Sequence, residues 1–100
     1  MLAKERGIHR MEEVKNKIVQ SFSEVDMAGL KFPVIAVYDR PLDFPHQYVA
    51  RIFDSDKPTN IILLRDSLSK IREDIKLNLP QMVRLPRAGN DVGSLVDTWI

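Results

Sequence analysis

One hundred residues suffice for one small domain, and 44% hydrophobic against 29% charged residues place the chain among globular proteins rather than disordered ones. Fifteen Lys and Arg against 14 Asp and Glu leave a formal net charge of +1, without the positive excess by which a nucleic-acid-binding module announces itself. The absence of cysteine removes disulfide frameworks, Cys-ligated zinc, iron-sulfur clusters and thiol nucleophiles together, and fits a reducing compartment.

The N-terminal stretch MLAKERGIHRMEEVKNK carries charge throughout where a secretory signal needs an uninterrupted apolar region, and no run approaches the roughly 20 apolar residues of a membrane span. A cytoplasmic protein with no membrane partner is therefore expected. No internal repeat is visible and the six prolines are dispersed. Residues 1–100 read as a single small α+β domain, with 1–30 as an N-terminal amphipathic helical arm.

Within that arm Ile8, Met11, Val14, Ile18, Phe22 and Val25 recur at steps of three or four, which places them on one stripe of a helix, with Glu12, Glu13, Lys15, Asn16 and Lys17 on the other side. Gly29 and Pro33 close it. Such a stripe must bury, either on this chain's own sheet or on a partner helix. VIAVY from Val34, YVARIF from Tyr48 and NIILL from Asn60 then read as three strands, rich in β-branched residues. Between the first two lies DRPLDFPHQ, residues 39–47, too long for a two-residue hairpin turn and the first place to seek function. DSDKPTN supplies a second turn, in which Asp54 and Asn60 are expected to satisfy backbone groups.

Asp66 is placed to cap a second helix, whose stripe is Leu64, Leu68, Ile71, Ile75 and Leu79 and whose end is set by Pro80. MVRL forms a short strand, and in SLVDTWI the residues Leu95, Asp97 and Trp99 alternate with Val96, Thr98 and Ile100 as a final strand holding a buried Trp99. The order is helix, three strands, helix, two strands: an α+β fold with an antiparallel sheet of about five strands and helices on one face.

Catalytic patterns are missing. His9 and His46 lack metal-binding spacing, and His46 would need a carboxylate brought to its ring to act as a base. Asp54, Ser55 and Asp56 begin like a calcium loop, but Pro58 stands where a third ligand is required and the closing glutamate is absent. Ser67, Ser69 and Ser94 sit in no nucleophile elbow, and Gly7, Gly29, Gly89 and Gly93 are too scattered to cradle a phosphate. The chain therefore reads as no enzyme, with no cofactor and no metal. Arg40, Arg51, Arg65, Arg72, Arg84 and Arg87 lie on or beside predicted strands and the second helix, interleaved with Asp39, Asp54, Asp66, Glu73 and Asp74 as local ion pairs. Arg51 shares a strand face with Phe53, an arrangement compatible with single-stranded RNA or an acidic partner.

The stretch FPVIAVYDRPLDFPHQYVARIFDSDKPTNIILLRDSLSKIREDI, with LPQMVRLPR and the terminal DTWI, resembles an uncharacterised family of small proteins found in Firmicutes genomes, often among phage or plasmid genes. That resemblance implies a bacterial or mobile-element origin and carries over no functional residue. The order of three strands, a helix beginning at DSLSKI and a further strand also looks like an antitoxin domain of the HicB type, although the glycine-bearing turns of that family are absent. A double-stranded-RNA-binding domain has a similar order, but the lysines that open its second helix are replaced here by Asp66, Ser67 and Ser69. The reading is a non-enzymatic protein-binding or regulatory module, with a HicB-like antitoxin or a weak RNA binder as alternatives. The expected partner is another protein or a second copy in a homodimer, met through Phe44, His46, Tyr48 and Arg51 in and beside the loop and through Met11, Ile18 and Phe22 on the helical stripe.

Overall fold

The computed structural model describes residues 15–85 and 93–100. Their order is β1 (Lys17–Val19), two single-turn 3-10 helices (Phe22–Glu24 and Met27–Gly29), β2 (Pro33–Asp39), β3 (Tyr48–Asp54), β4 (Lys57–Arg65), α1 (Leu68–Asn78), β5 (Arg84–Leu85) and β6 (Leu95–Trp99). The strands form one sheet in the order β1-β4-β3-β2-β6-β5, in which β1 runs parallel to β4 and every other pairing is antiparallel. The class is α+β, with a mixed sheet of six strands and one α-helix among the described residues, where about five antiparallel strands and two helices were expected.

The correction lies at the N-terminus. Residues 8–14 of the predicted stripe fall outside the described residues, and from Lys17 to Val25 the chain is a strand and a 3-10 turn, not an α-helix. Ile18 and Val19 are β-branched and pair with Ile62 and Leu63, and the Ser21 side chain accepts the Ser23 N–H to start a 3-10 turn. Ile18 is 52% exposed while Phe22 is 1% exposed, so the two residues share no stripe. Pairing with a strand more than forty residues away decided the local structure, and spacing along the chain carried no trace of it.

Residues paired across strands share a sheet face. Val19, Leu63, Ala50, Val37 and Asp97 form one such row, and Ile52, Ile35 and Trp99 a second, on the face covered by α1. Ile71 and Ile75 of α1 and Leu79, which caps its C-terminus, fill this core together with Phe22 and Met82. The predicted stripe holds from Leu68 to Leu79, while Leu64 belongs to β4, paired with Val49; the helix cap is Ser67, whose hydroxyl accepts the Lys70 N–H, and Asp66 instead pairs with Lys70 at 3.2 Å. A bulge in β6 at Val96, which has no partner between Val37 and Tyr38 of β2, brings Leu95 opposite Tyr38 and turns Val96 toward the core, so the predicted alternation of the last strand holds only from Asp97 on. The Trp99 indole N–H is buried without a hydrogen-bond partner, a cost of about 1–3 kcal/mol that burial of so large a ring offsets.

Two buried carboxylates fasten the helix to the rest. Asp97, with no exposed side-chain surface, receives Arg72 Nε and one of its terminal nitrogens at 2.8 and 2.9 Å, and Arg84 stands 3.7 Å away. Asp74 accepts the Phe22 N–H at 2.9 Å and faces Arg65 at 3.4 Å, which holds the 3-10 turn against α1. The expected local pairing of arginines holds for Arg40 with Asp39 and Arg65 with Asp74, whereas Arg72 and Arg84 meet Asp97, a distant carboxylate not among the expected partners. Arg87 lies outside the described residues.

Candidate functional site

The other face of the sheet has no helix on it among the described residues. Its central row is Ile18, Ile62, Arg51, Ala36, Thr98 and Leu85, read across all six strands. A second row runs from Pro58 through Phe53 to Val34, and the reciprocal backbone bonds between Val83 and Ile100 continue the β5–β6 ladder beside it. Phe32 lies two residues before Val34, so strand alternation puts it on the same side. Seven large apolar side chains are exposed among the described residues, and five of them, Ile18, Phe32, Val83, Leu85 and Ile100, belong to this face. Leu42, fully exposed in the loop, and Leu77 on α1 are the others.

Arg51 crosses this face. Its Cα is opposite Ile62, yet its guanidinium donates to the Thr59 carbonyl at 2.9 Å and to the Asn16 side-chain oxygen at 3.0 Å, so its stem runs over β4 and helps to bury Ile62 completely. Two extra residues in β4 make room for this: between the Arg51–Ile62 and Phe53–Pro58 pairs, β3 has one residue and β4 has three. The Thr59 hydroxyl repairs the interrupted ladder by donating to the Ile52 carbonyl at 2.6 Å and accepting from the Ile61 N–H at 3.2 Å. No carboxylate among the described residues forms an ion pair with Arg51, unlike the arginines of the helix-covered side.

At one end of the face a cleft of about 190 Å³ is lined by Tyr38, Pro41, Asp43, Val49, Arg51 and Ser94. Burial pushes the Tyr38 phenol above its ordinary value, and the charge of Arg51 pulls it partly back. The rim is the 39–47 loop. It opens at Arg40, whose φ of 43° puts a non-glycine residue in the left-handed region, and continues in two turns closed by Phe44 N–H to the Pro41 carbonyl and Gln47 N–H to the Phe44 carbonyl. Arg40 is held there by Asp39 at 2.6 Å and lies 5.4 Å from the centre of the Tyr48 ring.

These placements divide the residues predicted to meet a partner. Arg51 and Ile18 share the open face, and Phe44 and His46 lie in the loop at its end, half-buried and exposed respectively. Tyr48 packs against the core on the opposite side, Phe22 is inside it, and Met11 lies outside the described residues. Val83, Leu85, Ile100 and Phe32 were missed. Their signal was present in the alternation of Val83 and Leu85 around Arg84, but the face they occupy is set by pairing with β6. Asp54 and Asn60 do satisfy backbone groups, the Phe32 N–H and the Lys15 carbonyl. Among the described residues no group of three acidic or histidine side chains is placed to hold a metal ion, and no helix is long and apolar enough to cross a membrane. No family model, curated protein or solved structure matches this chain.

Proposed function

We propose that this chain is a non-enzymatic protein-binding module of bacterial or mobile-element origin, and that it binds through the open face of its sheet. The observation that carries this reading is the gathering of Ile18, Phe32, Val83, Leu85 and Ile100 on one face, since apolar side chains concentrated in this way mark a surface that another layer covers. The 39–47 loop and the cleft beside Arg51 add polar groups at the rim, as interfaces require around an apolar centre.

The test is a pull-down from bacterial extract with three baits: the wild type, the double variant Val83→Glu and Ile100→Glu, and Leu77→Glu on α1. A protein retained by the wild type and by Leu77→Glu but lost with the double variant supports the reading. Equal retention by all three baits overturns it. Light scattering on the same proteins assigns the face to a second copy if the double variant alone is monomeric. The edge strands β1 and β5, with three and two residues, offer little backbone for dimerisation by strand addition.

A second reading, RNA binding, is favoured by Arg51, which stands beside Tyr38 and Phe53 and forms no ion pair among the described residues. Its signature is affinity for single-stranded RNA that falls linearly in logarithmic salt and is lost in Arg51→Gln. The HicB-like reading keeps the support of the strand order β2, β3, β4, α1, β5. Rescue of growth from a co-expressed partner toxin is its test.

A further inference from the structure

We propose that the cleft beside the 39–47 loop binds a free α-amino acid with a small side chain, its carboxylate met by Arg51 and the hydroxyls of Tyr38 and Ser94 and its ammonium by Asp43. The inference goes beyond the reading of the apolar face as a protein-binding surface and does not depend on it.

Two irregularities of the backbone build the cleft. The β2–β6 ladder slips between Val37 and Tyr38, and the Asp39 N–H then closes on the Ser94 carbonyl at 2.7 Å. Immediately beyond, Arg40 takes a φ of 43°, a conformation that costs a non-glycine residue energy, and the chain folds back so that Pro41 and Asp43 come beside Tyr38 and Val49 of the sheet. The turns closed by the Phe44 and Gln47 N–H groups hold the loop in that course, so the walls stand ready before a ligand arrives.

The chemistry of the lining selects the ligand. Buried Val49 and Pro41 supply an apolar wall, and around it stand a cation, Arg51, an anion, Asp43, and the hydroxyls of Tyr38 and Ser94. Among the described residues the side chains of Tyr38, Asp43 and Ser94 bond to no other protein group. Arg51 uses its terminal nitrogens on Thr59 and Asn16, and its Nε–H is left over. Burial keeps the proton on the Tyr38 phenol, so at neutral pH it is a donor. The cleft thus offers donors for a carboxylate on three residues and one anionic acceptor for an ammonium.

Arg51 and Asp43 line one cleft without pairing with each other, unlike Arg72 and Asp97 on the covered face. Opposite charges held apart in this way favour a ligand that carries both. A lone carboxylate or phosphate would meet the charge of Asp43 with nothing to answer it, and a lone amine would meet that of Arg51. Size narrows the class further. The volume of about 190 Å³ holds about six water molecules, the bulk of a small amino acid and too little for a nucleotide.

The test is an amide NMR titration of the full chain with L-alanine and L-serine. Saturable shifts are expected at Val49, Arg51 and Ser94, with Lys76 and Leu77 of α1 unmoved. N-acetyl-L-alanine and L-alanine methyl ester, each lacking one of the two charges, should bind about tenfold or more weakly. Asp43→Asn, a change at an exposed loop position, should weaken L-alanine by a similar factor and leave N-acetyl-L-alanine no worse than in the wild type. Absence of a saturable shift with either amino acid overturns the inference. So does an equal response to acetate or inorganic phosphate, which would make the cleft a plain anion site, or a response at these residues to uridine 5′-monophosphate alone, which would give it to nucleic acid. The pull-down reads the apolar face and the titration reads the cleft, so either can fail without the other.

Discussion

Adjacent rows of the same sheet point to opposite sides, and each contains one charged residue. In the row Val19, Leu63, Ala50, Val37 and Asp97 the charge is sealed from solvent and answered by the two-pronged contact of Arg72. In the row Ile18, Ile62, Arg51, Ala36 and Thr98 the charge is half-buried, lies along the sheet and bonds to a backbone carbonyl and a side-chain amide. The first face has its second layer, α1, and the ion pair fastens that layer to the sheet. The second keeps large apolar side chains exposed and an arginine with no ion-pair partner among the described residues. A charge within an apolar row thus has a different setting on each face: on one it is part of the core, on the other it lies along a face that no helix among the described residues covers.

Truncation experiments should separate the two faces most widely. Ile71→Ala, which leaves a cavity between α1 and the sheet, is expected to cost about 3–4 kcal/mol, whereas Ile18→Ala should change stability by about 0.5 kcal/mol or less. Urea unfolding with unchanged slopes is the measurement, and equal losses at the two positions would erase the distinction.

The charges offer a finer version of the same contrast. Asp97→Ala strands Arg72 and Arg84 beside the core and should cost about 2–4 kcal/mol, less than a wholly buried pair because Arg72 is one-third exposed and recovers some hydration. Arg51→Met keeps an apolar stem over Ile62 and should cost about 1 kcal/mol or less. Smaller again is the start of α1. Ser67→Ala is expected to cost about 1 kcal/mol and Asp66→Ala about 0.3–0.5 kcal/mol, an order that reverses if Asp66 is the cap.

The smallest effect is one of pH. Burial raises the Tyr38 phenol above its ordinary 10.0, so the folded chain holds this proton at pH values where the unfolded chain has released it. Its contribution to stability is complete below the unfolded value and is lost as the pH rises through the folded one. Tyr38→Phe should therefore flatten the alkaline fall of stability above pH 10.0, and an unchanged slope would place the phenol in open solvent.

Much of the chain was legible because its signals are local. VIAVY, YVARIF and NIILL are strands where β-branching placed them, the stripe Ile71, Ile75 and Leu79 lies in the core, and Pro80 follows the end of α1. The placement of Arg51 on a strand face with Phe53 and of residues 39–47 as a long connection between two strands was also legible, since the alternation and the prolines are local signals. The N-terminal stripe misled because steps of three and four also allow Ile18 and Phe22 to fall on opposite sides of a strand and a 3-10 turn. The cap was misplaced by one residue because Asp66 and Ser67 are both good acceptors, and backbone geometry selected the serine.

The sequence by itself determined the α+β class, most strands, the helix and its buried stripe, because side-chain shape and periodicity act over a few residues. Only the tertiary structure decided that β1 joins β4 in parallel, that Asp97 is a buried ion pair, and that Val83, Leu85 and Ile100 gather with Ile18 and Arg51 on the face opposite α1. Those outcomes depend on which strands become neighbours. Register between distant segments is fixed by the packing of the whole, and it is register that turns separate apolar residues into a surface.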